Sequence, residues 1–425
     1  MSTHQHSFDE RFEFAGKAKT ISLVAIVIGV VGILAGFIGG DKGIQNTFSN
    51  LLLMSYYFVG VCVAGVFFLA YNYVAQAGWS VAFLRIPQAL ARVLGIAAVI
   101  LLVVIVAGLL MKHEILEEGK KVMAPYLYAH WATPGLTDKN SEHFDAIITG
   151  KSAFLNIPFF IGTIIVLLGL YTWFGKLLVD YSNNEDQLGG MFNYNKSFKI
   201  SAIFLTVFGF TFPVYAFGAV MSLEAHWYST MFGWYNLAAA HVSGLAVIAL
   251  ILIVLKQNGY FSWVNESHMQ DLGKLIFGFS IFWTYVWFAQ FFLTWYANIP
   301  EETVYFYKRW EPQYKWWFWL NIVLNFVAPL FLLMKNDDKR SLNRMKLACI
   351  IIIIGHWLDY YMMIMPGTIE KEHMFDIVEF AQDMAIFAGF AGLFTYLTLT
   401  ALSKFNSLIP KKHPFVEESL HHHIQ

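Results

Sequence analysis

The sequence predicts an all-α, polytopic membrane protein with ten transmembrane helices. Three observations carry that prediction. Apolar residues make up 57% of the 425 residues and charged residues only 13%, about half the charge of an ordinary soluble domain. Apolar runs of about 20 residues or more, the length that crosses a ~30 Å hydrocarbon core, recur from residue 18 to residue 403. Lipid offers no water to exposed backbone groups, so these runs form helices rather than open strands. A formal net charge of −1 gives no bulk electrostatic reason to expect a nucleic-acid partner.

The runs place helices at 18–40, 48–76, 90–112, 153–179, 198–221, 231–256, 272–296, 313–334, 342–365 and 375–402. A ten-helix membrane domain at 18–403 is thus flanked by an N-terminal segment, 1–17, and a C-terminal tail, 404–425. The first run follows the acidic Asp9, Glu10 and Glu13 and lacks a small-x-small cleavage site, so it is a span rather than a cleavable signal. His421 to His423 fit a disordered tail better than a metal cluster. Cys62 and Cys349 sit in separate apolar runs and cannot build a C-x-x-C motif, a haem attachment or an iron–sulfur ligand set. No phosphate-binding glycine loop, zinc-spaced ligand set or nucleophilic triad occurs, which disfavours ATP-driven chemistry.

Ten spans put both termini on one face. The loop "KNDDKRSLNRMK" at 335–346 gives that face Lys335, Lys339, Arg340, Arg344 and Lys346, and the positive-inside bias makes it cytoplasmic. The outward face then carries four aromatic and acidic segments, at 113–152, 222–235, 297–312 and 367–380. They suit either interfacial girdles or platforms for a peripheral partner.

Ionisable side chains at membrane depth are the main candidates for chemistry. In "GHWLDYYMMIMPG", 355–367, His356 and Asp359 are three apart and share a helix face with Tyr360 nearby. His356 lies about 14 Å from the outer end of the ninth span. On the tenth span Glu379 and Asp383 lie about 6 and 12 Å in, so antiparallel neighbours would bring Asp359 and Asp383 to similar depth. Such groups are expensive in lipid and are expected to face the bundle interior. There they could exchange protons, or simply bridge helices as a satisfied structural pair. His241, deep in "YNLAAAHVSGLAVIAL", is an interior hydrogen-bonder, a quinone donor, a proton relay or a haem ligand on this reading. Two deep histidines are the minimum for a six-coordinate haem, but no single span carries a spaced pair. At the mouth of the fifth span, Glu224, His226, Trp227 and Tyr228 suit a quinone or proton entrance, or an anchoring belt. Arg92, Tyr56 and Gln290 are individually weak polar links.

The segments "SLEAHWYSTMFGWY", 222–235, and "FWTYVWFAQFFLTWYANIPEETVYFYKR", 282–309, resemble those of the NrfD-like, polysulfide-reductase-like membrane subunits of Alternative complex III. That complex is a quinol:cytochrome c oxidoreductase. "GHWLDYYMMIMP", 355–366, resembles the F-type subunit more than the C-type, with His356 where that family often has Arg in a "GRW" pattern. The resemblance implies two adjacent four-helix bundles, spans 2–5 and 6–9, with spans 1 and 10 peripheral. It implies a bacterial inner membrane, no haem in this subunit and a quinone or quinol as ligand. Its implied partners are a second NrfD-like membrane subunit, an extracytoplasmic iron–sulfur protein, c-type cytochrome subunits and membrane lipid. On that footing His356, Asp359, Glu379, Asp383 and His241 form a proton path coupled to quinol oxidation. A structural anchor for peripheral redox subunits and a secondary transporter are the alternatives. Pro213 and Pro329 are candidates for a transporter's broken helices, but they lie toward the outer and inner ends of their spans respectively.

Overall fold

A computed structural model describes residues 9–117, 120–369 and 376–423. It contains ten helices long and apolar enough to cross a membrane. They are α1 (Gly16–Ile38), α2 (Gly40–Val74), α3 (Arg85–Leu110), α4 (Ile157–Leu188), α5 (Met191–Ala219), α6 (Met231–Gln257), α7 (Glu266–Ala297), α8 (Pro312–Leu333), α9 (Leu342–Thr368) and α10 (Ile377–Ser403). The face that carries both termini is called the termini face below.

Helix α2 packs against α3 and α5, and α4 closes the ring between α3 and α5. Helices α6, α7, α8 and α9 close a second ring. The two rings meet along α2, which touches both α6 and α9, and the spans buried most deeply are α2, α6 and α9. Helices α1 and α10 lie outside against each other. Their contact is made by small residues: a Cβ added to Gly29 would come within 2.4 Å of Gly389 Cα, and one on Gly32 within 2.7 Å of Ala385 Cβ. Lipid gives helices no hydrophobic reason to associate, so close backbone approach through such residues supplies the packing.

Local sequence sets the helix ends. Asn156 accepts from Phe159 N at 2.9 Å and Pro158 follows inside the first turn, which starts α4. Asn265 and His268 form a reciprocal cap that starts α7, and Asp376 caps α10. Gly189 and Gly190, at φ 68° and 74°, turn the chain from α4 into α5, a conformation that glycine adopts without penalty. Several helices overrun their expected ends. Helix α4 continues to Leu188 rather than stopping near 179, α5 begins at Met191 rather than 198, and α3 begins at Arg85. Such overruns let helices longer than the hydrocarbon tilt or project into the interface, where polar residues are cheap.

The long loop after α3 is partly ordered by an antiparallel hairpin, β1 (Lys112–Glu117) and β2 (Lys120–Pro125), with His113 opposite Ala124. The expectation of a disordered tail fails. Residues 404–423 pack over the termini face with Phe405, Leu408, Ile409 and His413 buried. The tail is held to the N-terminal segment, where Leu408 N donates to Glu10 O at 3.0 Å, and to α7, where His422 Nε2 lies 2.7 Å from Asp271 Oδ2. Of the fourth outward segment, 370–375 lie outside the described residues.

Candidate functional site

The Asp359 carboxylate sits inside the second four-helix ring and is fully buried, as is His356. Each helix of the ring contributes a neighbour. Tyr235 Oη from α6 donates to Oδ1, and Asn321 Nδ2 from α8 donates to the same oxygen at 2.8 Å. Trp283 Nε1 from α7 donates to Oδ2 at 2.9 Å. His356, one turn back on α9, places Nδ1 3.7 Å from Oδ2, too far for a hydrogen bond. Neither ring nitrogen of His356 has a hydrogen-bond partner among the described residues. The ring instead meets Trp283 edge-on, with centroids 5.5 Å apart.

The backbone of α8 makes this arrangement possible. A π turn at Val323–Val327 interrupts the helix, a device that often marks functional sites. Asn325 Nδ2, within that turn, donates to Asn321 Oδ1 at 2.6 Å and so orients the Asn321 amide toward Asp359. On α9 the facing residue is Gly355, where an added Cβ would lie 2.5 Å from Asn325 Oδ1. The glycine beside His356 is therefore what lets α8 approach.

Toward the face opposite the termini the site continues to Glu224 and Arg309. Arg309, only 2% exposed, lies on the short helix Pro300–Trp310. Its Nη1 reaches the two oxygens of Glu224 at 3.1 and 3.3 Å, and its Nε donates to Met362 O at 2.8 Å. That carbonyl needs an outside donor because Pro366, four residues on, has no N–H. Tyr305 lies under the guanidinium at 3.3 Å and stacks on Trp227 at 3.9 Å. A cavity of about 20 Å³ bordered by Arg309, Tyr235, Asn321 and Gln290 separates this pair from Asp359's donors. It has room for a single water. Gln290 Oε1 borders it without a hydrogen-bond partner among the described residues. One water there would join the ion pair to the donors around Asp359.

The other candidate residues fall in different places. Glu224 and Trp227 face this interior. His226 and Tyr228 do not: His226 Nε2 lies 2.6 Å from Asp145 Oδ2 at the surface, and Tyr228 is exposed. Burial pushes the Asp145 carboxyl up, but the amides of Ile147 and Ile148 together with His226 outweigh it and hold the group below its ordinary value. His241 is buried between Phe67, Tyr71 and Phe279, and both its ring nitrogens lack a hydrogen-bond partner among the described residues.

The expected meeting of Asp359 with the acids of the tenth span does not occur. Among the described residues, Asp359's hydrogen-bond donors come from α6, α7 and α8. Asp383 accepts instead from Asn46 and Asn50 of α2, at 3.0 and 2.7 Å. Glu379 lines an outer cavity of about 750 Å³ with Asp41, His113 and Lys308. The reason is topological: α9 fills a ring position between α6 and α8, whereas α10 pairs with α1 and lies over α2 and α3.

Comparison with known proteins finds no family model and no curated protein that matches the chain.

Proposed function

We propose that the chain is the membrane subunit of a quinol:electron-acceptor oxidoreductase, in which Asp359 passes protons while electrons leave through partner subunits. The observation that carries this reading is the buried carboxylate, about 14 Å below the end of α9, ringed by donors from three other spans and adjoining an imidazole with both nitrogens unbonded. An ionisable pair at such depth is a functional site by default, because lipid makes it costly to keep. The resemblance of 222–235, 282–309 and 355–366 to NrfD-like subunits supplies the redox half of the proposal.

Oxidising one quinol releases two electrons and two protons. The electrons would pass to an iron–sulfur protein and c-type cytochromes docked on the face opposite the termini, beside a second NrfD-like subunit. A proton would move between His356 and Asp359 and leave through the water-sized gap toward Glu224, with Arg309 holding that acid in place. The four-helix cage fixes the donor geometry, which general acid–base transfer requires.

The test is Asp359→Asn in the intact complex, reconstituted into vesicles and driven with a soluble quinol. Loss of proton release with subunit composition unchanged supports the role. Undiminished quinol oxidation and proton release would reduce the subunit to an anchor for its partners.

A further inference from the structure

At the termini face of the first ring, the ends of α2, α3 and α4 and the start of α5 enclose a second set of buried polar groups. Arg85, 1% exposed, donates to Gln88 Oε1 at 2.7 Å and Ser182 Oγ at 3.3 Å, and pairs with Asp186. The adjacent Glu185 is fully buried, and neither of its oxygens has a hydrogen-bond partner among the described residues. The hydroxyls of Tyr194 and Ser201 are buried and equally without partners among the described residues, and the buried Tyr73 hydroxyl lies against those of Ser182 and Ser197. Native interiors leave few such atoms, and ordered water ordinarily completes them. This set mixes donors and acceptors, as water requires. A cavity of about 10 Å³ beside it, lined by Tyr73, Tyr194 and His413, is near the size of one water.

The C-terminal segment forms the roof. Phe405 lies under the guanidinium groups of Arg85 and Arg92, at 4.7 and 3.9 Å. His413 packs on Tyr73 and Tyr194, with centroids 6.0 and 5.5 Å apart, and Phe415 packs on Tyr194 at 5.4 Å. Burial, reinforced by the charge of Arg85, pushes the His413 imidazole down to about 3, so the roof is neutral where it touches the chamber. The charges that face Glu185 are therefore Asp186 on its own helix and Arg85 from α3, with the phenols of α2 and α5 around them. The backbone N–H groups of Lys411 and Lys412 in the roof reach Asp186.

We infer that this chamber is a second proton-exchange site, in which water joins Glu185 to the hydroxyls of Tyr73, Ser197 and Ser201 and the C-terminal segment closes it from the aqueous phase at the termini face. The step is a plain protonation: the carboxylate takes a proton from hydronium and returns water. The inference goes beyond the redox reading and stands without it.

Infrared difference spectra of the full chain in detergent, recorded across a pH titration in H2O and D2O, test it. A titrating carboxyl band that shifts in D2O, vanishes in Glu185→Gln and persists in Asp359→Asn is expected. Ser197→Ala leaves the local charge alone and is expected to shift the band without removing it, which keeps the test open should Glu185→Gln fail to fold. In His413→Ala the band should exchange with D2O about tenfold faster, since the roof gives up two ring contacts. A band unchanged in both Glu185→Gln and Ser197→Ala, or an exchange rate indifferent to residue 413, overturns the inference. Loss of coupled activity in Asp359→Asn with the Glu185 band intact bears only on the redox reading.

Discussion

The Nε of Arg309 lies 2.8 Å from the carbonyl oxygen of Met362, the group that Pro366 leaves without an intrahelical donor. One residue thus repairs a broken helix and neutralises Glu224. Arg309→Ala strands a largely buried carboxylate and an open carbonyl, and is expected to cost about 3–5 kcal/mol. Arg309→Lys should recover only part of this, because an ammonium cannot reproduce the planar fork that reaches Glu224, Tyr305 O and Met362 O together. Thermal unfolding in detergent measures both.

Asp359→Asn replaces an acceptor-only group by an amide, although Tyr235, Trp283 and Asn321 all donate to it. At least one donor then faces another, at a cost of about 1–3 kcal/mol. Asn321→Ala removes a donor and should relieve part of that cost. The double-mutant cycle in denaturant is therefore expected to show the pair less destabilised than the sum of the singles. Additive effects would mean that Asn321 does not serve the carboxylate.

Gly355→Ala touches no ionisable atom. Its methyl would lie 2.5 Å from Asn325 Oδ1 and 2.9 Å from Leu324 Cβ, so α8 must move or strain. A loss of about 1–3 kcal/mol is expected, as for other overpacked sites. On the proposed function, proton release should fall with it, because Asn321 leaves Asp359.

The C-terminal roof carries a pH dependence whose sign follows from His413. Its packed pKa, about 3, lies below the ordinary histidine value of ~6.5, so the detached segment binds the extra proton. The contribution of His413 is fully present above about pH 6.5 and declines by about 1.4 kcal/mol per pH unit as pH falls toward 3. The protection of amides in residues 404–423, corrected for the pH dependence of intrinsic exchange, should therefore fall between pH 7.5 and 5.5. His413→Phe should flatten that response.

The ten spans were legible because hydropathy and length act on every residue of a span alike, whereas their grouping into two rings was expected only from the family resemblance. The Asp359 and His356 pair was legible for a related reason, since charge in an apolar run stands out. Its partners were not: Trp283 and Tyr235 look like ordinary aromatics until the fold brings their polar tips together. The amides of "LNIVLNF", Asn321 and Asn325 at i and i+4, were the signal that a closer reading could have used. Depth alone placed Asp383 beside Asp359, yet depth says nothing about which helix lies next to which. Glu185 escaped notice because its helix was ended near 179, which assigned it to a loop. The helical overruns hid the most polar corner of the first ring.

The glycine seam between α1 and α10 has a consequence for biogenesis. Gly29 finds Gly389 only once α10 has been made, and the backbone carbonyl of Glu10 then accepts from Leu408 N beyond the end of the same seam. Until then the glycine stripe of α1 lacks the partner it packs against in the finished fold. Sealing that stripe is a late event, and it would let a cell tell a finished molecule from an interrupted one.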